Sequence, residues 1–395
     1  MKYLIVVLLL VSSLYSAEVV AVGEKYKSSS DCQACHNHLV KQWRESWHSN
    51  SHYKKDEYFR ASVDYVSRKT HKSLNAIKVE CATCHNPRIS VTSTDTDYEI
   101  AAVLGLDKNS KVNKAVHDNT LNEGINCVVC HNIDQIHSEL DASHRGMDRV
   151  SWSKTGVMSG PFDDANSPYH KTEYREFMDK NPNQLCFVCH ANDHTAKGEA
   201  FINMQAEYKD STEKCVDCHM SSKKELYAAT LPIDHGKPKK RMIREHWFDG
   251  GHIKLMWKDA LKVRAKVEGD NLVITLKNDL PHNIPSGFSS REILIEIEYK
   301  NKDKDVGVET VSLTRHYLSK YKKPTIPHMA EQASKDDSVP AKGEKTVKVK
   351  YYKKATMAVI TVSYRLVNDE VRGILDLKEP IWKEKMPITK VSVRL

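Results

Sequence analysis

The chain of 395 residues reads as two parts of different class, a mainly α-helical and irregular part followed by an all-β, sandwich-like part. Three observations predict this. All ten cysteines lie between Cys32 and Cys218, and none follows. Apolar and polar residues begin to alternate at the period of a β-strand from about Leu261 onward. Between the cysteines, apolar residues recur at helical spacing among turn-rich stretches that are too polar to build a large core alone.

The first element is a leader over residues 1–17. Met1-Lys2 gives a short basic start, Tyr3 to Val11 is apolar, and Ser12 to Ala17 is mostly small, which together make an export signal. The apolar run is shorter than the ~20 residues of a spanning helix. Cleavage after Ser16 or Ala17 is expected to leave an exported, periplasmic protein with no membrane span. No cysteine lies near that point to carry a lipid. The formal charge of +8 would suit nucleic acid or a membrane surface. Its lysines and arginines are spread along the whole chain, however, and the function expected below supplies a nearer use for them.

The second element is residues 18–255. All ten cysteines fall in five copies of one motif: Cys32-x-x-Cys35-His36, Cys81-x-x-Cys84-His85, Cys127-x-x-Cys130-His131, Cys186-x-x-Cys189-His190 and Cys215-x-x-Cys218-His219. C-x-x-C-H is the attachment signature of c-type haem. Two thiols at this spacing reach both vinyl groups of one porphyrin, and the adjacent histidine binds iron as the proximal ligand. Zinc sites also use C-x-x-C pairs, but five pairs do not combine evenly into four-cysteine sites. Local disulfides would have no use for the histidine. Histidine is 20 of 395 residues, so its place after all five pairs is not accidental. The sequence therefore implies five covalent haem c groups, whose propionates would offset most of the basic excess. The last two motifs start closest together, so the fourth and fifth haems are expected to be neighbours. Lys55 to Lys69 carries Tyr58, Phe59, Val63 and Val66 at amphipathic-helix spacing, and Lys171 to Met178 and Ala196 to Tyr208 read similarly.

The third element is residues 256–395. Leu261 to Val267 alternates, Gly269-Asp270-Asn271 turns, and Leu272 to Leu276 returns, which is a β-hairpin signature. Ile293 to Tyr299, Thr346 to Tyr351, Ala358 to Leu366 and Ile388 to Leu395 are further strands. The charged run Lys300 to Asp305 reads as a hairpin tip. Lys322 to Lys342, rich in proline, lysine and small polar residues, reads as a surface loop.

Three patches besides the motifs carry a resemblance. Trp43-Arg44-Glu45-Ser46-Trp47-His48 looks like a W-x-x-S-x-H element, and Cys127 to His137 is a haem motif followed six residues later by a second histidine. Pro281-His282-Asn283-Ile284-Pro285-Ser286-Gly287, with Arg291 beyond it, is similar to a G-H-x-x-P-T-G…R element. The chain in these patches resembles a family of periplasmic multihaem cytochromes related to the electron carriers of hydroxylamine oxidation. Here Pro281 and Ser286 stand where that family has glycine and threonine. The resemblance implies haems packed edge to edge or in parallel pairs, mostly with two histidine ligands each.

Fifteen histidines remain after the proximal set, and five haems can use at most five. Six are distal candidates. His48 fits the W-x-x-S-x-H element near the first motif better than His52 does. His117 precedes the third motif, His170 sits in the turn Ser167-Pro168-Tyr169-His170, and His246 and His252 bracket a glycine turn. His282 lies between two prolines. His137 and His194 are weaker candidates, and Met220, directly after a proximal histidine, is expected to point away from that iron.

Bis-histidine haems leave no coordination position for substrate, so the leading expectation is electron transfer between a quinol-linked donor and a periplasmic acceptor, with no catalytic residue. The alternative is a multihaem reductase of nitrite, hydroxylamine or a sulfur oxyanion such as tetrathionate, which needs one haem with an open or displaceable sixth position. Pentahaem nitrite reductases typically carry a C-x-x-C-K motif at that haem, and this sequence has none.

Overall fold

A computed structural model describes residues 28–395 apart from 119–122, 141–143, 154–155, 196, 209–210, 232–237, 289 and 335. The expected leader lies outside the described residues. Among these, no helix is long and apolar enough to cross a membrane.

The N-terminal region is helical and irregular, with short two-stranded ladders. Each cysteine motif lies in a helix: Ser29–Glu45, Leu74–His85, Cys127–His131, Pro182–His190 and Cys215–His219. Positions i, i+3 and i+4 share one face of a helix, so the helix brings both thiols and the imidazole to the same side. Local chemistry fixes where these helices begin. Ser28 caps the first in a capping box with Asp31, Ser73 caps the second through Ala76, and Pro182 occupies the first turn of the fourth. Helix Glu57–Thr70, capped by the Asp56 carboxylate, matches the expected periodic segment. The other two helical readings hold only for the single turns Glu176–Met178 and Met204–Glu207. Lys171–Tyr174 is a strand paired in parallel with Val157–Gly160, and between 196 and 208 only Met204–Glu207 is helical, after strand Ala200–Ile202. In both places a few apolar residues at helical spacing were outweighed by ladder partners that lie elsewhere in the chain.

The C-terminal region is built on seven longer strands: β1 Lys262–Glu268, β2 Asn271–Lys277, β3 Glu292–Asn301, β4 Lys304–Leu313, β5 Glu344–Lys350, β6 Met357–Arg365 and β7 Met386–Arg394. They form an antiparallel sheet of order β5-β2-β1 and another of order β4-β3-β6-β7. Alternate residues of both sheets enter one core: Leu272, Ile274 and Leu276 from β2, Ile293, Ile295 and Ile297 from β3, and Ile360, Val362 and Tyr364 from β6. The β1–β2 turn falls at Gly269-Asp270, with Gly269 at φ +59. The expected charged tip is the β3–β4 turn, with Lys302 at φ 54. Strand β4 and helix Asp369–Leu375 were not anticipated. That helix starts at Asn368, whose side chain accepts from Val371 N.

The two regions pack directly on each other. Trp47, Tyr58, Ala61, Tyr65 and Val66 pack against Ile326, Val367, Val371, Leu377 and Trp382. The Glu57 carboxylate accepts hydrogen bonds from Lys378 N, Glu379 N and Trp382 Nε1. The stretch 322–342 is therefore not a plain surface loop, because Ile326, Ala330 and Val339 are fully buried.

Candidate functional site

We number the motifs one to five in chain order. At four of them the motif histidine faces a second imidazole at nearly one spacing. Ring centroids are 6.4 Å apart for His36–His170 at site one, 6.3 Å for His131–His246 at site three, 6.3 Å for His190–His48 at site four and 6.4 Å for His219–His282 at site five. Two metal–nitrogen bonds of about 2 Å each, with the distance from each ring centre to its coordinating nitrogen, fill this gap. The rings are too far apart to be in contact, yet four unrelated chain segments have converged on one separation. These sites hold pairs, and among the described residues no group of three or more His, Cys, Asp or Glu is placed to hold a metal ion. A planar macrocycle that brings four donors of its own and attaches to two adjacent thiols fits such pairs.

The imidazoles are prepared for ligation. His36 Nδ1 donates to Ala228 O at 2.6 Å, His131 Nδ1 to Ser159 O at 2.8 Å, and His219 Nδ1 to Asp249 O. This second hydrogen bond fixes the tautomer, leaving Nε2 free for a metal. On the facing side His246 Nδ1 meets Arg244 O at 3.1 Å and His282 Nδ1 meets Asn283 O at 2.9 Å. Burial holds the rings neutral: His48 is pushed down to about 3, and His190 and His246 to about 4, by loss of solvent and then by neighbouring charges.

Local structure explains how the facing histidines are held. His48 sits in the one-turn helix Trp47–Asn50, whose carbonyl at His48 accepts from Ile125 N at 3.0 Å. His282 lies in a loop pinned by Asn278 Nδ2 to His282 O at 2.8 Å, Ala341 N to Asn283 Oδ1 at 2.9 Å and Arg291 to Ser286 O at 2.6 Å. The C-terminal region thus delivers a histidine to site five.

Four of the six expected distal candidates, His48, His170, His246 and His282, are brought opposite motif histidines. The partner of His48 is His190 of site four and not His36 of site one, which its place in the sequence suggested. His117 and His252 stand apart from the pattern. His117 is exposed and bonds Asn113 O through Nδ1, and His252 packs on Trp47 with ring centroids 4.8 Å apart. His137 bonds Ser151 Oγ, and His194 lies in the short strand Asp193–His194.

Site two differs. His85 is half-buried and pushed down to about 3, first by desolvation and then by His328, His190 and His52. Among the described residues no imidazole faces it at the common spacing; Phe59 stacks on its ring at 4.0 Å and 8°. Its Nδ1 meets a hydroxyl, Ser51 Oγ, at 2.9 Å. His328, which sequence reasoning passed over as part of a surface loop, lies half-buried here between Phe201 and Phe288. The only sequence signal for it is a histidine after a proline in an otherwise ordinary loop.

The sites adjoin one another through their thiols. Cys32 of site one lies beside Cys127 of site three, Cys84 of site two beside Cys189 of site four, and Cys186 of site four beside Cys215 of site five. Cys130 of site three lies close enough to Cys186 and Cys189 to act on them electrostatically. Phe248 touches both His48 and His246, the facing histidines of sites four and three. Site four is therefore the junction of the array, and sites four and five are neighbours as their short separation suggested.

No family model and no curated protein sequence matches the chain. Among solved structures, a penta-haem cytochrome c552 from Thermochromatium tepidum is similar over 93% of this chain and 98% of that one, at 17% identity and a TM-score of 0.66. The chain thus shares its fold with that protein. A superoxide reductase overlaps at a TM-score of 0.18 and 10% identity, over 35% of this chain and 88% of that one, too low to carry an argument.

Proposed function

We propose that this chain is a pentahaem c-type cytochrome that transfers electrons in the periplasm, between a quinol-linked donor and a soluble acceptor. The observation that carries the reading is the four histidine pairs at 6.3–6.4 Å, each including the histidine of a C-x-x-C-H motif. Haem bound at each motif would supply a one-electron couple. The paired residues would hold Cys32/Cys35, Cys127/Cys130, Cys186/Cys189 and Cys215/Cys218 in thioether bonds and fill both axial positions with neutral imidazole. Two strong-field ligands keep substrate off the iron. The thiol contacts between sites keep neighbouring redox centres within short range, the requirement for a conduit. The 17% identity to the penta-haem cytochrome supports the fold, and the role rests on these residues.

The reading is tested by mass and by reductive titration. Mature protein from a host with full maturation machinery should carry five covalent haem masses and take up five electrons reversibly. Fewer than five covalent groups, or centres that cannot be reduced through one another, would overturn it. The alternative, a multihaem reductase, is favoured by one specific observation: among the described residues no imidazole faces His85 at the spacing that the other four motif histidines have.

A further inference from the structure

Site two departs from the other sites at three places. The ring against His85 is Phe59, stacked face to face on the imidazole, and no described histidine stands opposite at 6.3–6.4 Å. The Nδ1 partner is the Ser51 hydroxyl, where three other motif histidines use a backbone carbonyl. A hydroxyl can donate as well as accept, so it draws less electron density toward the coordinating nitrogen than a fixed carbonyl does. The third departure is His328, which lies near His85.

His328 is not held as the facing histidines are. Its ring sits 4.6 Å from Phe201 and 5.5 Å from Phe288, and its Nδ1 is buried with no hydrogen-bond partner. His246 and His282 both anchor Nδ1 on a carbonyl within two residues. An unanchored imidazole lacks the outer contact that orients an axial ligand. A buried nitrogen without a partner is costly, and a ligand able to bond it would recover that cost. The wall beside His328 is also defined. Arg145 pairs with Asp193, both act on His328, and Arg145 lies close enough to Cys81 and Cys84 to be raised by them. The next residue, Gly146, packs so closely that an added Cβ would stand 2.8 Å from Cys84 Sγ.

We propose that site two is where this cytochrome binds a small uncharged ligand of iron, of the class of carbon monoxide and nitric oxide, with His328 as a positioning residue on the ligand side and not a permanent axial ligand. The inference rests on the reading that the five motifs carry haem. The preference for an uncharged ligand follows from the surroundings. Two phenyl rings flank His328, and the arginine that adjoins the attachment cysteines is already neutralised by Asp193. An anion such as nitrite would enter without an unpaired cation to receive it.

The experiment uses the intact holoprotein after five covalent haems have been counted, so that failure of the haem reading shows first and separately. The oxidised wild type should show one high-spin haem in five by electron paramagnetic resonance. After reduction, carbon monoxide should shift the Soret absorbance of one haem in five. His328→Ala should leave the count of high-spin haems at one, move the carbon monoxide stretching band and speed dissociation about tenfold, and His328→Gln should restore part of the difference. A wild type with five low-spin haems that does not bind carbon monoxide overturns the proposal, and so does a high-spin haem that appears only in His328→Ala, since His328 would then be an axial ligand. Nitrite binding to the ferric site more tightly than nitric oxide would overturn the ligand class. The wild-type measurements decide the main point even if the variants fold poorly.

Discussion

An imidazole that is to bind a metal must be unprotonated, and loss of solvent pushes His48 and His246 well below the ordinary histidine value. The same burial acts in the opposite direction on an acid. Glu207, from the N-terminal region, reaches Ser286 Oγ and, at 3.3 Å, Asn283 N in the loop that carries His282. Burial pushes its carboxyl up to about 7. An acid whose folded value lies above its unfolded one favours the fold while protonated, and loses that contribution as pH rises from about 4.5 through 7. The loss is at most about 3 kcal/mol. Glu207→Gln should therefore flatten the pH dependence of the melting temperature between pH 5 and 8; an unchanged slope would place the titrating group elsewhere. The motif residues were legible because five identical spacings stand out in the sequence. The facing residues were half legible. The W-x-x-S-x-H resemblance singled out His48 and local turns His170, His246 and His282, but the pairing of His48 with His190 joins segments far apart in sequence, and no local pattern encodes it. His328 was lost for a related reason: its loop has surface composition, and only the packing of Ile326 and Ala330 draws it inward.

At the scale of elements, one glycine sets how closely two segments approach. Gly124 has φ +66, and a Cβ there would meet His48 O at 2.4 Å and Ser51 N at 3.0 Å. The segment it belongs to also binds the first motif helix, through Glu123 to Ser28 and Ser29 and Ile125 O to Trp43 Nε1. Gly124→Ala should cost about 2 kcal/mol or more, since both backbone strain and overpacking act there. It should also displace the turn that carries His48. The expected reading is a fall in melting temperature together with loss of one low-spin signal, that of site four, while sites one, three and five keep theirs. A variant that is destabilised with all four signals intact would show that the turn tolerates the shift. Elements with an internal pattern were the ones sequence could see: helix Glu57–Thr70 from its apolar stripe, and β1, β2, β3, β5, β6 and β7 from alternation. Lys171–Tyr174 was misread because a four-residue strand is too short to show its period. Its identity comes from the hydrogen bonds of Val157–Gly160.

For the whole molecule, the C-terminal region is a structural part of the array of motif sites. It brings His282 opposite the motif histidine of site five, sets His328 against Phe201, and seals the helical region through Trp382 and Glu57. The seal has a measurable weight. Trp382 is buried against Trp47 and Tyr58, so Trp382→Ala should cost about 3–5 kcal/mol and lower the melting temperature of both regions together. Two separated melting steps would show instead that each region folds on its own.

The place of site four among the motif sites can be tested by one substitution. Site four lies beside sites two and five at Cys84 and Cys215, and Phe248 joins its facing histidine to that of site three; on the proposed electron-transfer function, electrons passing between sites one and three on one side and five on the other would cross it. Replacing a distal imidazole by a thioether raises the potential of a haem while keeping it six-coordinate and low-spin. His48→Met should therefore turn the junction into a trap. In a reductive titration one couple should move upward and fill first. After rapid photoreduction of site one, arrival of the electron at site five should slow by about tenfold or more, because escape from the trap now sets the barrier. His170→Met, which alters site one at the end of the array, should move one couple equally but leave transfer between sites three and five at its original rate. Equal slowing by both variants would mean that site four is not the crossing point, and that the thiol contacts do not mark the route electrons take.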